Sequence, residues 1–404
     1  MTTPARKSVP GARLLTPAEK SLLARLEELR IVPPANLLQA LYSDDKEEHA
    51  KAVQDLRRSL DTATALRARL EALRVVLPVD PASAVPELNN IVTRAEKEFG
   101  DTSVVSLEGR YMLIYHEARR VNAAVTAKKM SELLATCENA LGHEAYLTRR
   151  CSMVRAQFTR KAGDPNGIQL YEDELALRKN SDGPDAWRTR LARMNLAVAL
   201  RESGEYNNLN RADQIAEKEL AERSVEYGPE HPRTIVAMAN KALILLSLVE
   251  AGSKTADAEK ALELASEVVR VRQTVLGPLH DSTLSGQMIR AQALIALKRC
   301  DEAVWLLYGV LADQAAAGAK DPGRAEELLA RALAGTELRS DLEEARQFAS
   351  EATQLRTRQY GPDTAQVRRA QELEASIITQ LAAAQDRDVV RVLDHTSGPR
   401  SEAI

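Results

Sequence analysis

Apolar positions along the chain follow helical spacing throughout. Between residues 46 and 77 they are Val53, Leu56, Leu60, Ala63, Leu66, Leu70, Leu73 and Leu77. The gaps alternate between threes and fours, so the residues form one narrow stripe on a long helix that ends at Pro78. Two readings of that stripe stand open. It packs on neighbouring helices of its own chain, or it is a coiled-coil seam that makes a homodimer through residues 46–77. Upstream, Thr16-Pro17-Ala18-Glu19 reads as a helix start, with Thr as N-cap, Pro at the first helical position and Glu closing a capping box. That helix is expected to run to about residue 30, where Pro33-Pro34 breaks it. A short helix over 35–42 follows, and Ser43-Asp44-Asp45 caps the long one. Residues 1–14 are polar, contain Pro4 and Pro10, and read as a disordered N-terminus.

From Val85 onward the pattern becomes periodic. Tyr227-Gly228-Pro229-Glu230-His231-Pro232-Arg233-Thr234 returns as Leu276-Gly277-Pro278-Leu279-His280-Asp281-Ser282-Thr283. Reduced forms stand at Asp182-Gly183-Pro184-Asp185 and at Tyr360-Gly361-Pro362-Asp363-Thr364. Turn glycines fall at Gly100, Gly142, Gly183, Gly228, Gly277 and Gly361, with a further break near Lys320-Asp321-Pro322. The spacing is about forty residues, too short for a domain and right for two helices with their turns. Glycine ends a helix because it takes a left-handed conformation without penalty. A second break is expected halfway through each unit, at 202–206, 250–254 and 298–301. The longer units are expected to carry their extra residues, Asn207 to Asn210 and Ser253 to Ala256, in that turn, with the helices unchanged.

At these residues the chain resembles tetratricopeptide repeats (TPR), specifically the roughly 42-residue kinesin-light-chain type. Gly228, His231, Pro232 and Thr234 match the family's opening. Met194-Asn195-Leu196-Ala197 and Ala239-Asn240-Lys241-Ala242 take the Asn-Leu-Ala place, the second with Lys241 for Leu. Gly204-Glu205-Tyr206 matches the mid-repeat turn, and Asp301-Glu302-Ala303 the start of the second helix. The match is good from Gly183 to Ala312, fainter on both sides, and absent from the first 80 residues. The resemblance implies an all-α, right-handed α-solenoid of TPR-like helix hairpins, whose first helices line a concave groove. The expected organisation is therefore a helical N-terminal unit at 15–80, the array at 81–382 and a flexible tail at 383–404. Small residues Ala197, Ala242 and Ala291 are expected at helix–helix contacts.

Composition agrees with this and narrows function. Hydrophobic residues are 44% and charged residues 28% of 404, with aromatics only 3%, so Ala and Leu carry the packing. A formal charge of −3 makes nucleic acid an unlikely partner for the whole chain. Arg runs such as Arg149-Arg150, Arg188/Arg190/Arg193 and Arg368-Arg369 are read as solvated helix faces. Excess Arg over Lys hints at a GC-rich bacterial source. The three cysteines, Cys137, Cys151 and Cys300, lie far apart without a CxxC, which suits buried thiols in a reducing compartment. Without a signal sequence or an apolar run of about 18 residues, the default is a cytoplasmic protein with no membrane partner.

No motif for a nucleophile, a phosphate loop or a metal site is present, so no enzyme activity, cofactor or metal is expected. His143, His231 and His280 recur at turns, where the resemblance gives them a structural role. The remaining candidate is the groove. Counted from the small Ala of each first helix, its inward residues are Arg150, Gln157 and Arg160, then Met194, Asn195 and Arg201, then Asn240 and Leu243, then Met288 and Gln292. Asn can bond a peptide backbone as donor and acceptor, and Arg can clamp a carboxylate. The expected ligand is a protein or peptide with an acidic end, held by a non-enzymatic scaffold or adaptor. The alternative is a peptide-sensing regulator whose N-terminal helices contact DNA or a signalling output protein.

Overall fold

The computed structural model describes residues 14–77, 80–118, 121–253, 255–317, 323–362 and 364–396. Among these there are 17 helices and no strand. They fall into two compact units, residues 1–167 and 168–404, each taken by itself below. The break near Lys320-Asp321-Pro322 and the extreme ends, 1–13 and 397–404, lie outside the described residues.

Unit 1 begins with α1 (Pro17–Glu28), α2 (Ala35–Leu41) and α3 (Lys46–Val76). The capping box forms: the Thr16 hydroxyl accepts from Glu19 N, and Glu19 Oε2 accepts from Thr16 N at 2.7 Å. Asp45 caps α3 through bonds from Glu47 N and Glu48 N. Two hairpins follow, α4 (Pro81–Phe99) with α5 (Val104–Glu117), then α6 (Ala123–Leu141) with α7 (Tyr146–Lys161). The α3 stripe decides between its two readings. Leu56, Leu60, Ala63, Leu66, Leu70 and Leu73 are all buried, in one core with Leu26, Leu41, Leu88 and Leu107. The apolar face is spent within the chain, and no seam is left on it for a second copy. The same core joins α1–α3 to the first hairpins, and Val104 N donates to Leu29 O at 3.0 Å.

Unit 2 holds most of α8 (Asn166–Asp182), then α9 (Trp187–Glu202), α10 (Tyr206–Tyr227), α11 (Pro232–Glu250), α12 (Thr255–Leu276), α13 (Asp281–Ala296), α14 (Cys300–Ala317), α15 (Arg324–Ala334), α16 (Arg339–Tyr360) and α17 (Ala365–Thr396). From α9 on, each helix packs on the next, and the first helices α9, α11, α13, α15 and α17 also touch one another in order. Ala197, Ala242 and Ala291 are each fully buried at those contacts, as small residues there should be. α11 is long and apolar enough to cross a membrane by length and composition, yet it is the core helix of this unit.

Three expectations need correction. Asn207 to Asn210 do not lengthen a turn: α10 starts at Tyr206, so they form its first turn, with Leu209 1% exposed in the core. Burial of Leu209 supplies the reason, because a loop would leave it in water. The extra residues therefore lengthen a helix. Residues 383–396, expected to lie in a tail, continue α17 as helix. The turn glycines are also not in the left-handed helical region. Gly228 has φ 87° and ψ 163°, and Gly100, Gly142 and Gly361 are alike. That region is open to glycine almost alone.

Candidate functional site

The turn that repeats is built from the glycine outward. Six residues after it stands a hydroxyl that donates back to the glycine carbonyl: Ser106 to Gly100 at 2.7 Å, Thr189 to Gly183 at 2.7 Å, Thr234 to Gly228 at 2.8 Å and Thr283 to Gly277 at 2.8 Å. All four hydroxyl residues are fully buried. Each bond satisfies a carbonyl that the helix end leaves without a partner. Thr148 holds the same place after Gly142, but its Oγ1 makes no hydrogen bond. His231 and His280 are N-caps: their Nδ1 atoms accept from Arg233 N and Ser282 N. His143 has no such role; it lies directly after its glycine and pairs with Glu138. These turns fix where each first helix begins and hence which side chains share a face.

Twelve residues after their glycines, Asn195 and Asn240 occupy matching places on the adjacent helices α9 and α11. Both are half-buried, and neither amide has a hydrogen-bond partner among the described residues. One turn earlier stand Leu191 and Val236, 45% and 47% exposed, with Trp187 a further turn back on α9. Leu243 on α11 and Gln292 on α13 continue the face, half-buried, and Gln292 Oε1 is buried without a partner. The result is an apolar strip with unspent amide groups along the first-helix layer of unit 2.

The other predicted residues are placed differently. Met194 and Met288 are 4% and 3% exposed and belong to the core beneath the face. They fall one position before the asparagine register, which turns the side chain about 100° inward. Arg201 is paired with Glu202. In unit 1, Arg150, Gln157 and Arg160 all lie on α7 and are half-buried. The Arg150 guanidinium lies over Tyr111 at 4.4 Å and Tyr146 at 5.5 Å from the ring centroids. Residue patterns alone missed Leu191, Val236 and Trp187. Eight residues after the turn glycine an apolar residue stands only in the Gly183 and Gly228 repeats, so the repeat pattern carried no signal for them.

Two arginines read as solvated are instead ion-paired within the α9–α10 hairpin, Arg193 buried and Arg190 half-buried. Arg193 meets Glu219 at 2.8 Å and donates to Pro184 O at 2.8 Å, while Arg190 pairs with Glu222 and Glu226. Burial pushes the Glu219 carboxyl up, against the pull of Arg193 and Arg223. On α11, Lys241 is 5% exposed and bridges to Asp213 at 2.7 Å and Glu217 at 2.8 Å on α10. Burial alone would lower its pKa; the two carboxylates overcome that and raise it. These cations are committed to the scaffold.

The class is defined by stacked two-helix repeats closed by glycine turns: a TPR-like helix-hairpin array. No protein-family description and no curated protein matches the chain. Among solved structures, the apo form of the quorum sensor NprR from B. thuringiensis aligns over 93% of this chain and 98% of its own, with 14% identity and a TM-score of 0.53. BtubC from P. vanneervenii covers 65% of this chain and 94% of its own, at 13% identity and TM-score 0.42. The nearly identical TPR-like repeats of a Podosopora anserina kinesin light chain cover 52% and 95%, at 20% identity and TM-score 0.41. The likeness is one of fold.

Proposed function

We propose that the chain is a non-enzymatic scaffold that captures a protein or peptide segment on the first-helix face of unit 2. The observation that carries this is the pair Asn195 and Asn240. A half-exposed amide that meets no protein group keeps its donors and acceptor open to a ligand. Two in matching places on adjacent helices offer donors and acceptors to an extended backbone, while Leu191, Val236 and Leu243 offer it apolar contact. Asn195→Ala with Asn240→Ala should weaken partner binding about tenfold or more, at about 1–2 kcal/mol per lost pair of bonds, with the helical signal and melting midpoint retained. The partner is captured by pull-down on the native chain and titrated by calorimetry. Equal affinity for the double variant would remove the assignment.

The second reading is a regulator, in which ligand capture on unit 2 is relayed to DNA or an output protein at the N-terminal helices. Similarity in fold to a quorum sensor over 93% of the chain favours it. A gel shift with the full chain, repeated across salt concentrations, separates the two.

A further inference from the structure

Five residues before its turn glycine, a second helix of unit 2 carries an arginine: Arg178, Arg223, Arg272 and Arg356. Two of these brace the turn. Arg223 donates to Arg233 O at 3.1 Å, and Arg272 donates to Ser282 O at 2.7 Å. Nine residues after the same glycines, the first helix carries only Gly or Ala: Ala192, Ala237, Gly286 and Ala370. The two positions lie within one side chain's reach: a Cβ on Gly286 would lie 3.8 Å from Arg272 Nη1, behind Val269 and Val268 at 3.2 and 3.4 Å. At the Gly142 turn of unit 1 both positions are cysteine, Cys137 on α6 and Cys151 on α7. Both are fully buried, and each thiol shifts the other's titration. The arginine brace is missing there, and the hydroxyl clamp at Thr148 is open as well.

We propose that Cys137 and Cys151 are a redox modification site, at which a peroxide installs a reversible disulfide across the α6–α7 packing in place of the arginine brace. Cys137 is the first to react. The neighbouring Cys151 thiol holds the Cys137 thiol below the usual range, with Arg110 adding to the effect, while Cys137 and burial push Cys151 up. The Cys137 thiolate attacks one peroxide oxygen, the O–O bond breaks, and the other oxygen leaves as water after taking a proton. The Cys151 sulfur then displaces hydroxide from the sulfenic acid, and its own proton completes a second water. Two thiols and one hydrogen peroxide thus give one disulfide and two waters. Because both sulfurs are covered, the reaction proceeds through local opening of α6 from α7, and the disulfide closes that opening. Cys300 is a control inside the molecule: it packs against Gly335 and is the one cysteine of unit 2.

The test treats the full chain with hydrogen peroxide, then alkylates with N-ethylmaleimide in denaturant and maps the peptides by mass spectrometry. One of the three thiols should remain alkylatable, a Cys137–Cys151 linked peptide should appear, and dithiothreitol should reverse both. The lowest melting transition should rise by on the order of 5 °C in the oxidised chain. Cys151→Ser should leave a dimedone-reactive sulfenic acid at Cys137 and no shift, whereas Cys300→Ser should behave as the native chain. Three alkylatable thiols after peroxide, a disulfide involving Cys300, or a linked peptide with an unmoved midpoint would each overturn the proposal.

Discussion

A single threonine shows how much of this molecule rests on its turns. Thr234 sits fully buried with its hydroxyl on Gly228 O at 2.8 Å and Arg223 O at 3.2 Å. Two carbonyls at the end of α10 take their bond from one side chain. Thr234→Ala removes that donor from the Gly228 carbonyl, while Arg223 O keeps its intrahelical bond, at a cost of about 1–3 kcal/mol. Thr234→Ser keeps the donor and should recover most of it. Urea unfolding of the three chains checks this, and an Ala variant as stable as the native chain would refute the clamp. Motif matching found the threonine but not its role, because that role depends on a carbonyl six residues back and another eleven back. Local rules of that kind are readable from sequence when they repeat. The Arg193–Glu219 pair was not readable, since each charge looks solvated until the next helix folds over it.

At the level of the helix, length and phase matter more than composition. Glycine spacing gave most helix ends correctly, since a glycine conformation barred to other residues must sit where the chain turns. It did not say whether extra residues enlarge a turn or a helix. In α10 they enlarge the helix, and Asp213 and Glu217 further along it must stay in phase to meet Lys241. Deleting Asn207 to Asn210 removes about 400° of helix and so leaves a misphase of about 40° at whatever lies beyond. Leu209 would also be lost from the core. The deletion should therefore lower the stability of unit 2 by about 3 kcal/mol or more and blur its unfolding, where a loop deletion would cost little. Circular dichroism melts of the deleted chain decide between helix and loop. The Met194 and Met288 assignments failed on the same point, for counting from an alanine rather than from the turn glycine put them one residue out of phase.

For the whole molecule, the fold class followed from the period, while the exposed first-helix face of unit 2 needed coordinates. A forty-residue unit cannot bury its own apolar faces, so its stability comes from neighbours on both sides. A defect should then spread according to how many neighbours it touches. Ala242, fully buried in α11, lies where α9, α10, α12 and α13 converge. Ala370, 1% exposed in α17, has α15 and α16 beside it and no later hairpin among the described residues. Ala242→Phe and Ala370→Phe insert the same ring into equally tight sites, each at about 1–3 kcal/mol of overpacking. Their reach should differ. Hydrogen exchange should show protection lost across α9 to α13 in the first variant and only across α15 to α17 in the second. Equal loss over all of unit 2 in both would mean that it unfolds as one globule, and the nearest-neighbour account of the array would fail.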